Sequence, residues 1–153
     1  DRSVRSLLAS VGRRTSVPLI AAGGVGGPDD VADLLARGAA LVQSGTAFLR
    51  CPESGVHAVA KDALADASFT HTAVTRAFSG RRARALVNDM VRVHQDAPAA
   101  YPEINNATRP LRAAAAAAGD TGHMSVYAGT AYRRAQARPA AEVVERLMSG
   151  WRG

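Results

Sequence analysis

The feature that most constrains this chain is a short apolar run that ends on glycine, and it occurs twice. Val17-Pro18-Leu19-Ile20-Ala21-Ala22 leads into Gly23-Gly24-Val25-Gly26-Gly27, and Ala39-Ala40-Leu41-Val42-Gln43 leads into Ser44-Gly45-Thr46. Apolar runs this short, bounded by glycine, are expected of strands buried on both faces of a parallel sheet. Between them, Pro28, Asp29 and Asp30 are helix-start signals: proline suits the first turn, and carboxylates suit the positive end of the helix dipole. Val31, Leu34 and Leu35 supply a buried face, and Gly38 is placed to close that helix in the left-handed conformation. Ser54 to Ala65 reads as a further helix with Val56, Val59, Ala60 and Ala63 inward. The order is strand, helix, strand, helix, which makes the class α/β.

After about residue 66 the pattern changes. Thr70 to Phe78 alternates and reads as extended. From Arg82 onward the spacing predicts helices: a stripe of Ala83, Leu86, Val87, Met90 and Val93, and then a Pro- and Asn-rich loop from Ala97 to Asn106. The alanine run Ala113 to Ala118 follows, started by Thr108 and Pro110 and stopped by Gly119. Helices over about 122–136 and 139–150 complete the chain, the last with Val143, Val144, Leu147, Met148 and Trp151 on one side. The division expected is 1–66 for the βα units and 67–153 for a mainly helical small domain.

The 153 residues fall short of the roughly 250 of a complete (β/α) barrel. The first residue is Asp1, the earliest methionine is Met90, and Val4, Leu7, Leu8 and Val11 already form an apolar helical stripe before Gly12. The expectation is a piece of a longer chain, one that pairs with the rest of its sheet or self-associates through uncovered apolar faces.

Composition narrows the function classes. One cysteine, Cys51, excludes an internal disulfide framework and points to a reduced, cytoplasmic setting. Neither a membrane-spanning apolar run nor a signal segment is seen, so no membrane partner is expected. The formal charge of +6 raises nucleic-acid binding. Its arginines, however, are scattered among alanines, and the densest group (Arg81, Arg82 and Arg84) has no interleaved aromatics. Solvated surface is the better reading, and no nucleic-acid partner is expected.

Chemistry concentrates at the two strand ends. A βα junction aims backbone N–H groups at a bound anion, and glycine lets a phosphate come close to the main chain. One such turn reads equally well as a flexible connection. A second on the next parallel strand opens on the same rim, and in barrels the loops after strands seven and eight frequently build a phosphate site. Thr46 adds a hydroxyl, and Gln43 and Ser44 lie at the strand mouth. Neither the dinucleotide fingerprint nor the P-loop is present, so a mononucleotide or sugar phosphate is expected. Cys51 has no partner at metal spacing, and no metal site is expected.

Several segments resemble one family. They are Pro18 to Val25, Val42 to Leu49, Thr75-Arg76-Ala77-Phe78-Ser79-Gly80-Arg81, Ala100-Tyr101-Pro102-Glu103 and Met124-Ser125-Val126-Tyr127-Ala128-Gly129. Together they are similar to the C-terminal part of the FMN-dependent nitronate monooxygenases, formerly 2-nitropropane dioxygenases. The first two are shared with other FMN barrels, such as enoyl reductases; the third and last are more specific. Arg82 replaces the family's usual proline, and Thr130 its usual glutamine.

The resemblance implies about the last two βα units of a (β/α)8 TIM barrel followed by a small helical domain. It implies FMN as cofactor, with the phosphate held by Gly23, Gly24, Gln43, Ser44, Gly45 and Thr46. The implied reaction is oxidative denitrification of a nitronate with O2. The glutamine near the flavin ring and the histidine after a Gly-Gly strand end are missing, since Val25 stands in that place. His57, His71, His94 and His123 read as surface or boundary residues, and no catalytic residue is assigned. This chain alone is therefore expected to be inactive. The alternative is a non-catalytic truncated product, or a piece of another FMN-binding barrel enzyme of the enoyl reductase kind.

Overall fold

A computed structural model describes residues 2–151. These form two compact units, the first built from residues 2–54 and 134–151 and the second from residues 55–133. The boundary differs from a single cut at residue 66 because the last helix returns to the first unit.

In the first unit, α1 (Val4–Gly12) starts at Ser3, whose hydroxyl accepts from Ser6 N at 3.2 Å. β1 (Ile20–Ala22), α2 (Pro28–Ala36) and β2 (Leu41–Gln43) follow. β1 and β2 pair in parallel with Ile20, Ala21 and Ala22 opposite Leu41, Val42 and Gln43. Gly38, at φ +93°, ends the α2 segment as its position predicts. Leu8, Ala21, Val25, Val31, Leu34 and Ala39 form the core, and Val4, Leu19, Leu35, Val42 and Leu147 pack on it. α6 (Ala140–Met148) lies against α2 and puts Val143 beside Ala47 and Cys51.

Burial on both faces of these strands is not observed. Ile20 and Leu41 are each 61% exposed, while Ala21 is buried toward the helices. A parallel sheet is covered twice only when helices lie on both sides; here the described helices cover one. The first apolar stripe is likewise half covered: Leu8 is buried and Val4 packs on the core, but Leu7 and Val11 are exposed.

The second unit departs further from the expected run of helices. α3 is short (Ala58–Ala63), and β3 (Thr72–Thr75) pairs antiparallel with β4 (Ala83–Leu86). The stripe that began at Ala83 is thus a strand followed by α4 (Asp89–Val93), broken at Asn88. Asn88 is buried; its Oδ1 caps α4 by accepting from Val91 N at 3.2 Å, and its Nδ2 donates to the carbonyls of Thr121 and Met124. Val93 points to solvent.

The predicted helix over 122–136 is largely extended instead. Tyr127 bridges to Ala85, Leu86 N donates to Val126 O, and Ala128 N donates to Arg84 O, so this segment extends the β3–β4 ladder. Its regular part is the 3-10 turn Tyr132–Arg134. α5 spans Glu103–Ala118, beginning before the expected start and carrying Pro110 inside, and it closes on Gly119 at φ +71°. Its early turns form because Pro102 and Glu103 already supply a start, and Thr108 Oγ anchors them by donating to Phe78 O at 2.5 Å. No helix among the described residues is long and apolar enough to cross a membrane.

Candidate functional site

The parallel register places Ala22 opposite Gln43, so the residues after β1 and β2 emerge side by side on one rim of the first unit. Gly23 (φ +108°) and Gly24 (φ +71°) lie in the left-handed region, where a side chain is strained. A Cβ built at Gly23 or at Gly45 would meet no other atom within 4 Å. Both junctions therefore have open space beside one exposed glycine. Gly45 has φ −118° and needs no glycine for its backbone; what it contributes is space. It opens the 3-10 turn Thr46–Phe48, closed by Phe48 N donating to Gly45 O at 3.0 Å.

Ser44 has a definite task. Its hydroxyl donates to Val25 O at 3.0 Å and ties the second junction to the first. Gln43 is exposed at the end of β2, and Thr46 is half-buried at the start of the 3-10 turn. The six residues singled out in the sequence are thus gathered at one end of the two-stranded sheet.

Sequence reasoning missed what holds this rim. Asp29 and Asp30 both lie in the first turn of α2, as helix-start charges should. Asp30 also reaches back: its Oδ2 accepts from Gly26 N at 2.9 Å, one residue beyond the reach of a capping box. The same oxygen accepts from Arg134 Nη1 at 2.7 Å, and Oδ1 from Arg5 Nη2 at 3.3 Å. An acidic residue at the third helical position was a usable signal for the first bond. Nothing local announced Arg134.

Next to β2, a cavity of about 760 Å³ adjoins the second junction. Ile20, Leu41, Val144, Met148 and Trp151 line it on the apolar side, and Gln43 and Ser44 bring it to the rim.

The remaining titratable groups lie apart. The Arg5 guanidinium, then that of Arg37, holds the Asp33 carboxyl below the usual range on the outer face of α2. The four histidines lie between residues 57 and 123, in the second unit, and all are exposed. His57 caps α3, and His123 Nδ1 pairs with Asp120 at 2.7 Å, which lowers the Asp120 carboxyl. Cys51 is buried, and no group of three metal-ligating side chains occurs among the described residues. Tyr132 is buried with its hydroxyl donating to Phe69 O, and Tyr127 meets Phe78 edge-on with centroids 5.8 Å apart.

The nitronate monooxygenase family model matches residues 1–150. A nitronate monooxygenase of Pseudomonas aeruginosa is 37% identical over 97% of this chain, and one of Paraburkholderia phytofirmans is 36% identical over 93%. This chain spans 43% and 40% of the length of those proteins. Among solved structures, a nitroalkane oxidase from Streptomyces ansochromogenes superposes with a TM-score of 0.93 at 46% identity, over 97% of this chain and 43% of that one. FabK from Thermotoga maritima gives 0.79 at 29% identity, over 98% of this chain and 49% of its own.

Proposed function

The chain belongs to the nitronate monooxygenase family, an oxidoreductase family acting on small nitronates with O2, and from that premise we propose that it holds the phosphate tail of FMN. The residues assigned are Gly23, Gly24, Gln43, Ser44, Gly45 and Thr46. The observation that carries the reading is the pair of adjacent strand ends with open space beside Gly23 and Gly45. FMN fits that setting at its phosphate: the donors are main-chain N–H groups and the Thr46 hydroxyl, and the space at Gly23 and Gly45 admits close approach.

When bound, FMN supplies the electron transfer by which a nitronate is oxidised. This chain's own residues do other work. The glycine turns accept the phosphate, and Ser44 keeps the two turns at fixed separation. In this reading β1 and β2 are the last two strands of a (β/α)8 barrel, and the exposed faces of Ile20 and Leu41 are ones a closed barrel would cover. The single cysteine favours a reduced, cytoplasmic setting, and the scattered arginines favour a chain without nucleic-acid partners. The alternative of a different FMN-binding barrel enzyme rests on the likeness to FabK, at 29% identity against 46% for the nitroalkane oxidase.

The test is a titration of the 153-residue chain with FMN and with riboflavin, followed by flavin fluorescence. Charge-assisted hydrogen bonds to the phosphate predict FMN binding tighter by about tenfold or more. Equal affinity for the two flavins would refute the assignment. Nitronate-dependent oxygen uptake by the chain alone is expected to be absent, and its presence would overturn the restriction to the cofactor's tail.

A further inference from the structure

We propose that Arg134 is a positioning residue for the phosphate rim, acting through Asp30; this rests on the FMN-phosphate reading above. Three observations lead to it. The Asp30 side chain is 15% exposed and accepts from Gly26 N, so it fixes the turn that carries Gly23 and Gly24. That also puts a carboxylate on the same turn as Gly23 and Gly24, and a negative charge there opposes an anionic ligand. Arg134 Nη1 sits 2.7 Å from the same carboxylate oxygen and supplies the opposing charge.

The guanidinium does more than neutralise. A side chain built at Gly27 would collide with it, so Arg134 lies directly over the buried end of the glycine turn. The next residue closes the other side of the rim: Arg50, just after the 3-10 turn of the second junction, donates from Nη1 to Ala135 O at 3.1 Å. Residue 134 is thus tied to the first turn, and residue 135 to the segment that follows the second. Arg5 also reaches Asp30, but at 3.3 Å, while its Nε donates to Asp33 at 2.5 Å. It is the weaker counter-charge.

The variant to make is Arg134→Gln, with Asp30→Asn beside it. Arg134 is partly exposed, so its loss leaves the chain folded. Two measurements separate the proposal from the reading it rests on. The first needs no ligand: exchange of the Gly26 amide, followed by NMR, should accelerate in Arg134→Gln while the core amides of α2 keep their rates. An unchanged Gly26 rate would overturn the positioning role.

The second compares FMN with riboflavin. Arg134→Gln should weaken FMN by about fivefold to tenfold and leave riboflavin unchanged. Adding Asp30→Asn, which keeps an acceptor for Gly26 N but removes the charge, should restore most of the loss. Equal weakening of both flavins, or no rescue in the double variant, would overturn the charge-pairing role. If the unsubstituted chain does not prefer FMN, the phosphate reading fails and this proposal's ligand role fails with it, whatever the Gly26 amide shows.

Discussion

Glycines at the rim and elsewhere separate conformational need from space, and substitutions can tell them apart. Gly80 has φ +79°, and a Cβ there would strike the Ala100 carbonyl, so Gly80→Ala should lose more than about 2 kcal/mol in chemical denaturation. Gly45 has an ordinary φ and open space, so Gly45→Ala should change stability by less than about 0.5 kcal/mol. Its FMN affinity should nevertheless fall, because the methyl group occupies the ligand's approach. Ser44→Ala, which removes the bond to Val25 O, should cost about 1 kcal/mol. Asp33 predicts a pH dependence. Arg5 and Arg37 depress its folded-state pKa, so its contribution is complete above the unfolded value of about 3.9 and is lost as pH falls through the lower folded value. An NMR titration should find its carboxyl titrating below the ordinary aspartate value; a normal midpoint would contradict the pairing.

The elements differ in how far the sequence disclosed them. α1, α2, β1 and β2 were legible because their signals are local: the Val4, Leu7, Leu8 and Val11 stripe before Gly12, Pro28 with two carboxylates, and Gly38 as a stop. The rim followed from the same signals, since two glycine-ended strands one βα unit apart must open on one side. β4 was not legible as a strand. Ala83, Leu86, Val87 and Met90 satisfy helical spacing, yet the register with β3 claims the first two and Asn88 starts a new helix after them. Asn88 was the available signal. The segment around Tyr127 gave none, since its extended form depends on the main chain of Arg84 and Leu86, some forty residues earlier. At this scale, Tyr132→Phe should cost about 1 to 2 kcal/mol, because the buried hydroxyl joins the 3-10 turn to Phe69 O and also receives Arg133 Nε at 3.0 Å. An unaltered melting midpoint would mean the bond is not formed in solution.

The first unit is made from both ends of the described chain, with residues 55–133 intervening. Its sheet leaves Ile20 and Leu41 exposed on one face, and Val144, Met148 and Trp151 are exposed as well. In sedimentation velocity the isolated chain should associate as its concentration rises, and the pair Ile20→Thr and Leu41→Thr should shift it toward monomer. No shift would place the contact elsewhere. The bond between Arg134 and Asp30 also sets an order of events in the cell. Those residues are 104 apart, and at translation rates of about 5–20 residues per second Asp30 leaves the ribosome about 5 to 20 s before its partner. Throughout that interval Asp30 has only Arg5, at 3.3 Å, as a counter-charge, so the glycine turn gains its shorter ion pair late in synthesis, when residue 134 emerges.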